Sequence, residues 1–133
     1  MILSHLTVGV NDVAAAIAFY DAVLGELGIK RERGGQGFAG WGREGEGGFY
    51  VTRPFDRKAA SAGNGVSVSF LAPSREAVDH FWRRARECGG TDEGSPGLRP
   101  HYHENYYAAY VRDPDGNKIA AVCHQPEAAS APA

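Results

Sequence analysis

His5-Leu6-Thr7-Val8-Gly9-Val10 leads through Asp12 into an apolar-periodic run holding Phe19-Tyr20. The same statement is made again by Ser67-Val68-Ser69-Phe70-Leu71-Ala72, which leads through Ser74 into a run holding Phe81-Trp82. At the constant offset that lays His5 on Ser67, Asp12 falls on Ser74 and the two aromatic pairs coincide. A strand-then-helix unit written twice in one short chain implies two half-domains related by a pseudo-twofold. Function is then expected where the halves face each other.

The alternation is that of half-buried strands: Leu6, Val8 and Val10 share one face, and His5, Thr7 and Gly9 the other. In the second unit Val66, Val68, Phe70 and Ala72 oppose Ser67, Ser69 and Leu71. Asp12 and Ser74 are N-cap residues in type and place. Val13, Ile17, Tyr20, Leu24 and Leu27 then recur at spacings of three and four, as do Val78, Phe81, Trp82 and Ala85, predicting an amphipathic helix in each half. Extended pieces are predicted at residues 29–33, 38–41 and 48–52, and again at 106–112 and 118–123, with 91–104 as a long segment between. Asp113-Pro114-Asp115-Gly116-Asn117 has the chemistry of a tight turn. The expected fold is α+β: two tandem β-α-β-β-β modules forming a curved sheet cup, with His5, Thr7, Ser67 and Ser69 on the polar inner face. A single domain is expected over 1–124, with modules near 1–53 and 65–124, a linker at 53–64 and a frayed tail at 125–133.

Composition narrows the function classes. A net charge of -2 gives no reason to expect nucleic acid or an anionic membrane as partner. No apolar run approaches a membrane span and no basic flank precedes an apolar start, so a cytoplasmic location is expected. The two cysteines, Cys88 and Cys123, form no Cys-x-x-Cys pair and read as inert, partly buried thiols. The glycine-rich stretch 34–48 lacks phosphate-loop spacing and suits tight hairpins.

Three passages carry a family resemblance: Ser4-His5-Leu6-Thr7-Val8 leading to Ala18-Phe19-Tyr20-Asp21-Ala22-Val23-Leu24-Gly25; the turn Asp113-Pro114-Asp115-Gly116-Asn117; and Pro96-Gly97-Leu98-Arg99-Pro100-His101-Tyr102-His103 followed by Asn105-Tyr106-Tyr107-Ala108-Ala109-Tyr110. With the duplicated architecture, they resemble the vicinal-oxygen-chelate superfamily of glyoxalases, bleomycin-resistance proteins and extradiol dioxygenases, in a lactoylglutathione-lyase-like branch. The resemblance implies a divalent metal in the cup, held by equivalent strands of the two halves and acting as a Lewis acid. His5 fits the first ligand position. Its counterpart is Ser67, the last-strand position that carries Glu in metal-dependent members is Ala120, and the first half offers Tyr50. One good ligand in four does not hold a metal, so no metal and no other cofactor is expected at the family position.

His5 stands as a candidate general base, with the chemistry suited to neutral pH, as a pocket contact, or as a histidine bonded within a sheet. His101 and His103 share a face of extended chain and form either a relocated metal site or a hydrogen-bonding rim. As pocket lining, Arg99, His101, His103, Tyr106 and Tyr107 would offer a cation and donors to an acidic substrate. Tyr50 and Trp41 are candidates to touch an apolar or aromatic ligand, whereas Phe19-Tyr20 and Phe81-Trp82 read as core. The expected function is binding of a small polar or acidic molecule in the cup. His5 would be the catalytic residue of a lyase or isomerase, or the protein would be a non-catalytic, drug-resistance-type sequestering module. A homodimer is expected.

Overall fold

The computed structural model describes residues 2–127. Ten elements follow in order: β1 (His5–Gly9), α1 (Val13–Gly25), β2 (Lys30–Gly35), β3 (Phe38–Gly42), β4 (Gly48–Thr52), β5 (Ser67–Leu71), α2 (Arg75–Glu87), β6 (Thr91–Leu98), β7 (Tyr107–Arg112) and β8 (Lys118–Cys123). The duplicated β-α-β-β-β order is present, and each half builds one four-stranded sheet. The strand orders are β1-β4-β3-β2 and β5-β8-β7-β6, with β1 parallel to β4 and β5 parallel to β8. A parallel pair needs a crossover, and α1 and α2 begin those crossovers.

Both helices start where the cap residues stand. The Asp12 carboxylate accepts from the Ala15 amide at 3.0 Å, and the Ser74 hydroxyl from Ala77 at 3.0 Å. Each bond satisfies an amide that the first helical turn would otherwise leave open, worth about 1 kcal/mol. In α2 the dipole is also matched, with Glu76 in the first turn and Arg84 and Arg86 in the last. The helices pack against one another and against the sheets. Val8, Trp41, Phe49 and Val51 of the first sheet, with Val111, Ile119 and Ala121 of the second, belong to one continuous core with Tyr20, Leu24, Val78 and Phe81. The Phe49 and Phe70 rings meet edge-on at 5.0 Å across the modules. On the other face of the second sheet Ala108, Ala120 and Val122 form a separate apolar floor beneath Tyr106 and Tyr110.

Two elements differ from their sequence expectation. The segment expected only as a long stretch over 91–104 contains β6, the strand that the repeated β-α-β-β-β order requires there, although Thr-Asp-Glu-Gly-Ser-Pro-Gly-Leu has little strand propensity. Its ladder to β7 holds it, with register shifts around Gly94 and Gly97. As an edge strand it tolerates Pro96, whose missing N–H breaks no inner ladder. Trp82, expected in the core, is only partly buried: its indole N–H donates to Asp92 at 2.9 Å and Arg86 lies over its ring. Of the tail expected at 125–133, residues 128–133 lie outside the described residues.

The turn after β7 does more than reverse the chain. Asp113, 4% exposed, accepts from the Asp115 and Asn117 amides at 2.9 Å each and from Asn117 Nδ2 at 3.0 Å. It also accepts from the Tyr20 hydroxyl of α1 at 2.5 Å. Asn117 Nδ2 donates onward to the Gly9 carbonyl at the end of β1, and Asp115 accepts from Asn11. Gly116 takes φ +90°, which the turn requires and a side chain would strain. The five residues Asp113–Asn117 of one module therefore clamp the strand–helix junction of the other. Asp113→Ala would leave the Tyr20 hydroxyl and the Asn117 amide buried without an acceptor, at about 1–3 kcal/mol each. Urea unfolding is expected to show a loss of about 3 kcal/mol or more for that variant, and about 1–2 kcal/mol for Tyr20→Phe.

Candidate functional site

Period two in the strands gives each sheet a helix-facing side and an outer side, and the polar residues fall on the outer one. On the first sheet, β1 contributes His5 and Thr7 and β4 contributes Tyr50 and Thr52, lining a cavity of about 520 Å³ with Arg33 and Glu46. All of its lining comes from the first module. The His5 ring meets Tyr50 edge-on at 5.5 Å, and its Nδ1 shares a hydrogen bond of 2.9 Å with the Ser4 hydroxyl. Tyr50 owes its position to two glycines: a Cβ on Gly40, its cross-strand partner, or on Gly48 would run into the phenol ring.

The second sheet carries a different chemistry. Tyr106 and Tyr110 cover the Ala108–Ala120–Val122 floor and their hydroxyls are 3.2 Å apart. Lys118 Nζ stands 5.4 Å from the Tyr110 ring centre and the Arg99 guanidinium 5.6 Å from it. Arg99 is held in place by the Gly97 and Ser95 carbonyls, each at 2.8 Å. Among the described residues neither cation has a carboxylate partner. Beside Tyr106 lie His103 and His124, joined nitrogen to nitrogen at 2.8 Å.

The sequence candidates thus separate into groups. His5 and Tyr50 come together on the first sheet. Arg99, His103 and Tyr106 come together on the second. Ser67 sits exposed on β5, in register with Lys118, and the His101 ring lies against that of Tyr102, centroids 4.2 Å apart and planes tilted by 41°. Tyr107 faces the opposite way from Tyr106, as neighbours in a strand must. Its hydroxyl donates to Asp79 of α2 at 2.6 Å and Arg75 lies over its ring. Among the described residues no hydrogen bond or ring contact links His5 or Tyr50 to the second group.

Trp41 requires a correction. It does not face a ligand: it is 2% exposed, packs on Tyr20 and donates its indole N–H to Asp21 of α1 at 2.9 Å. Parity explains this, because Trp41 shares a face with Ala39 and not with Gly40. Three residues of the second face, Tyr110, Lys118 and His124, were not singled out from sequence. Strand parity held the signal, since Tyr110 lies four positions after Tyr106, and Lys118 and His124 lie at even spacing from Ala120.

At the four positions where the family resemblance places ligands stand His5, Tyr50, Ser67 and Ala120. Ala120 is fully buried under Tyr110, its register partner, and offers no donor. An imidazole, a phenol, a hydroxyl and a methyl group do not fit a tightly held divalent ion.

Burial, reinforced by the Tyr106 hydroxyl, pushes the Tyr110 phenol up to about 12. Burial, reinforced by Asp79, does the same to Tyr107. Raised values mean that the folded chain holds these protons more tightly than the unfolded chain. The associated stability is complete below pH 10 and is lost between about pH 10 and 12. A tyrosinate absorbance titration is expected to show a late step near pH 12 that Tyr107→Phe and Tyr110→Phe each diminish.

Comparison with known proteins places this architecture. The Glyoxalase/Bleomycin resistance protein/Dioxygenase superfamily matches residues 2–121. A crystal structure of a glyoxalase/bleomycin resistance protein from Albidiferax ferrireducens T118 is 40% identical with a TM-score of 0.85, covering 95% of this chain and 100% of that one. An uncharacterised protein of Pseudomonas aeruginosa is 34% identical over 93% of this chain and 89% of its own length. A Synechocystis sp. protein named as a probable lactoylglutathione lyase is 28% identical, over 92% of this chain and 95% of its own. No helix among the described residues is long and apolar enough to cross a membrane. With a match spanning nearly its whole length and a duplicated fold to go with it, the chain belongs to the glyoxalase/bleomycin resistance protein/dioxygenase superfamily.

Proposed function

We propose that this protein binds a small acidic molecule on the outer faces of its two sheets, without a metal at the family position. The observation that supports this most directly is the pair of cations, Lys118 and Arg99, flanking Tyr110 with no carboxylate partner among the described residues. An uncompensated positive pair beside two phenol donors favours an oxyanion, since charge-assisted hydrogen bonds are the stronger kind. The apolar floor under the tyrosines suits the hydrocarbon part of such a ligand. The metal-free part of the reading rests on donor chemistry at His5, Tyr50, Ser67 and Ala120.

A thermal-shift screen of small carboxylates and thiol conjugates tests the binding. A stabilising hit is expected to lose its shift in Lys118→Ala, and a hit that persists in that variant overturns the placement. Mass spectrometry of protein purified without a metal-binding tag checks the metal. A stoichiometric divalent ion overturns the metal-free reading.

Two specific observations favour turnover as a second reading. One is the resemblance to a relative named as a probable lactoylglutathione lyase. The other is His5, exposed on the cavity and hydrogen-bonded to Ser4, in the position of a proton carrier. A lyase or isomerase would lose turnover, but keep ligand affinity within a few-fold, in His5→Ala. A sequestering protein would show no turnover of any bound compound.

A full cup requires both chemistries, and we assign its completion to a homodimer. The support is that the His5 cavity is lined by one module alone, and that β1 and β5 are edge strands, with Leu71 on β5 and Leu3 and Val66 just before β1 and β5 exposed at 66%, 56% and 57%. Apolar side chains on an unpaired strand edge are a template for a second copy. Light scattering is expected to give twice the chain mass, and Leu71→Lys to give a monomer.

A further inference from the structure

His103 and His124 lie 21 residues apart in sequence, yet their rings meet with Nε2 of the first 2.8 Å from Nδ1 of the second. The ring planes are 23° apart and the centroids 5.1 Å apart. With a nitrogen–nitrogen gap that short, the two nitrogens lie close to the line joining the centroids. The rings therefore meet edge to edge in nearly one plane, the geometry of an N–H···N bond, and not face to face.

The direction of that bond is decided by a third contact. His103 Nδ1 accepts from the Asn105 backbone N–H at 3.1 Å. A backbone amide can only donate, so Nδ1 of His103 carries no proton and the neutral ring carries it on Nε2. That proton points at His124 Nδ1, which must then be the acceptor. The neutral His124 ring is left with its own proton on Nε2. One main-chain amide thus sets the tautomer of two side chains in series.

A metal ion between the two rings suits these contacts less well than a proton. A neutral histidine that ligates through one nitrogen keeps a proton on the other and donates it. With a metal on Nε2, His103 would turn an N–H toward the Asn105 N–H, donor against donor. The pair suits a proton better than a cation.

His124 follows β8 at the parity of Lys118, Ala120 and Val122, and its ring packs against Tyr106 at 5.5 Å with planes 78° apart. It thereby joins the face that holds Tyr106, Tyr110, Arg99 and Lys118. We propose that the His103–His124 pair is a fixed-tautomer donor: His124 presents Nε2–H at the end of this face and binds an oxyanion of the ligand, with His103 as its positioning residue. This rests on the reading that the second face takes an acidic ligand, and it adds the group that orients it. A lone imidazole presents either a donor or a lone pair. One locked by a neighbour presents only the donor and discriminates for an anionic oxygen.

The test uses the full ¹⁵N-labelled chain at about pH 8, above the ordinary imidazole range. Long-range ¹H–¹⁵N spectra are expected to show both rings as Nε2–H tautomers, with the His103 signal moving in His124→Ala. An Nδ1–H tautomer at either ring, or zinc binding between them, overturns the pair. Acetate and inorganic phosphate, titrated separately, distinguish a carboxylate from a phosphate site. The preferred anion is expected to shift His124, Tyr110 and Lys118 together. Affinity should fall about tenfold in His124→Ala, the worth of one hydrogen bond to a charged group, and return in His124→Gln, whose amide nitrogen replaces Nε2–H. If the anion shifts Tyr110 and Lys118 but binds His124→Ala equally well, the donor role falls while the face stands as an anion site. If neither anion moves any of the three, both fall.

Discussion

The fold depends on a single buried carboxylate. Asp113 gathers four donors, and the Tyr20 hydroxyl belongs to the other module. A charged group at 4% exposure is costly to desolvate, and only a full set of donors makes the burial tolerable. The set is assembled only when the two modules are docked, because Tyr20 arrives from α1 and Asn117 must reach the Gly9 carbonyl beyond β1. Burial and the neighbouring negative charge hold the Tyr20 phenol well above its ordinary range, so the proton stays where the bond needs it. The apolar core gives bulk stability, but apolar contact is indifferent to register. This cluster is not, and it specifies how one half sits on the other.

From that docking follows the division of labour across each sheet. The helix-facing sides are consumed in one shared core, so His5, Tyr50, Arg99, Lys118 and His124 fall to the outer sides. The two outer sides are not equivalent, despite the duplication. The first is a polar cavity with an imidazole and a phenol. The second is an apolar floor roofed by tyrosines and bordered by two cations. The two halves differ at single pairs of positions: His5 holds the place that Ser67 holds in the second half, and the phenol that stands on β4 as Tyr50, opposite Gly40, stands on β7 as Tyr110, opposite Ala120. At the last-strand position Ala120 lies fully buried opposite Tyr110.

Strand and helix patterns were legible to within a few residues wherever alternation and caps were clean. β1, α1, β4, β5, α2 and β8 are of this kind, because period two, period 3.6 and a side-chain cap are local properties. β6 was legible only from the repeated order, which requires a strand between α2 and β7, because its strand character comes from β7 and not from Thr91–Leu98 itself. Trp41 was misplaced for a related reason: the glycines around it blur which parity faces in, and only the Asp21 contact settles it. In the candidate site, Arg99, His103 and Tyr106 were legible as a polar segment. Tyr107 was grouped with them by adjacency, which in a strand means the opposite face.

By itself the sequence determined the duplication, the capped helices, the turn at Asp113 and the poverty of metal donors at His5, Tyr50, Ser67 and Ala120. Each is a statement about residue type at a spacing, and short-range geometry converts such statements into structure directly. Only the tertiary structure decided that Asp113 reaches Tyr20, that Lys118 and Arg99 flank one phenol, and that His124 meets His103. Those are contacts between segments far apart in the chain. Their formation is governed by how two sheets and two helices close-pack, a property of the whole assembly that no local window of sequence contains.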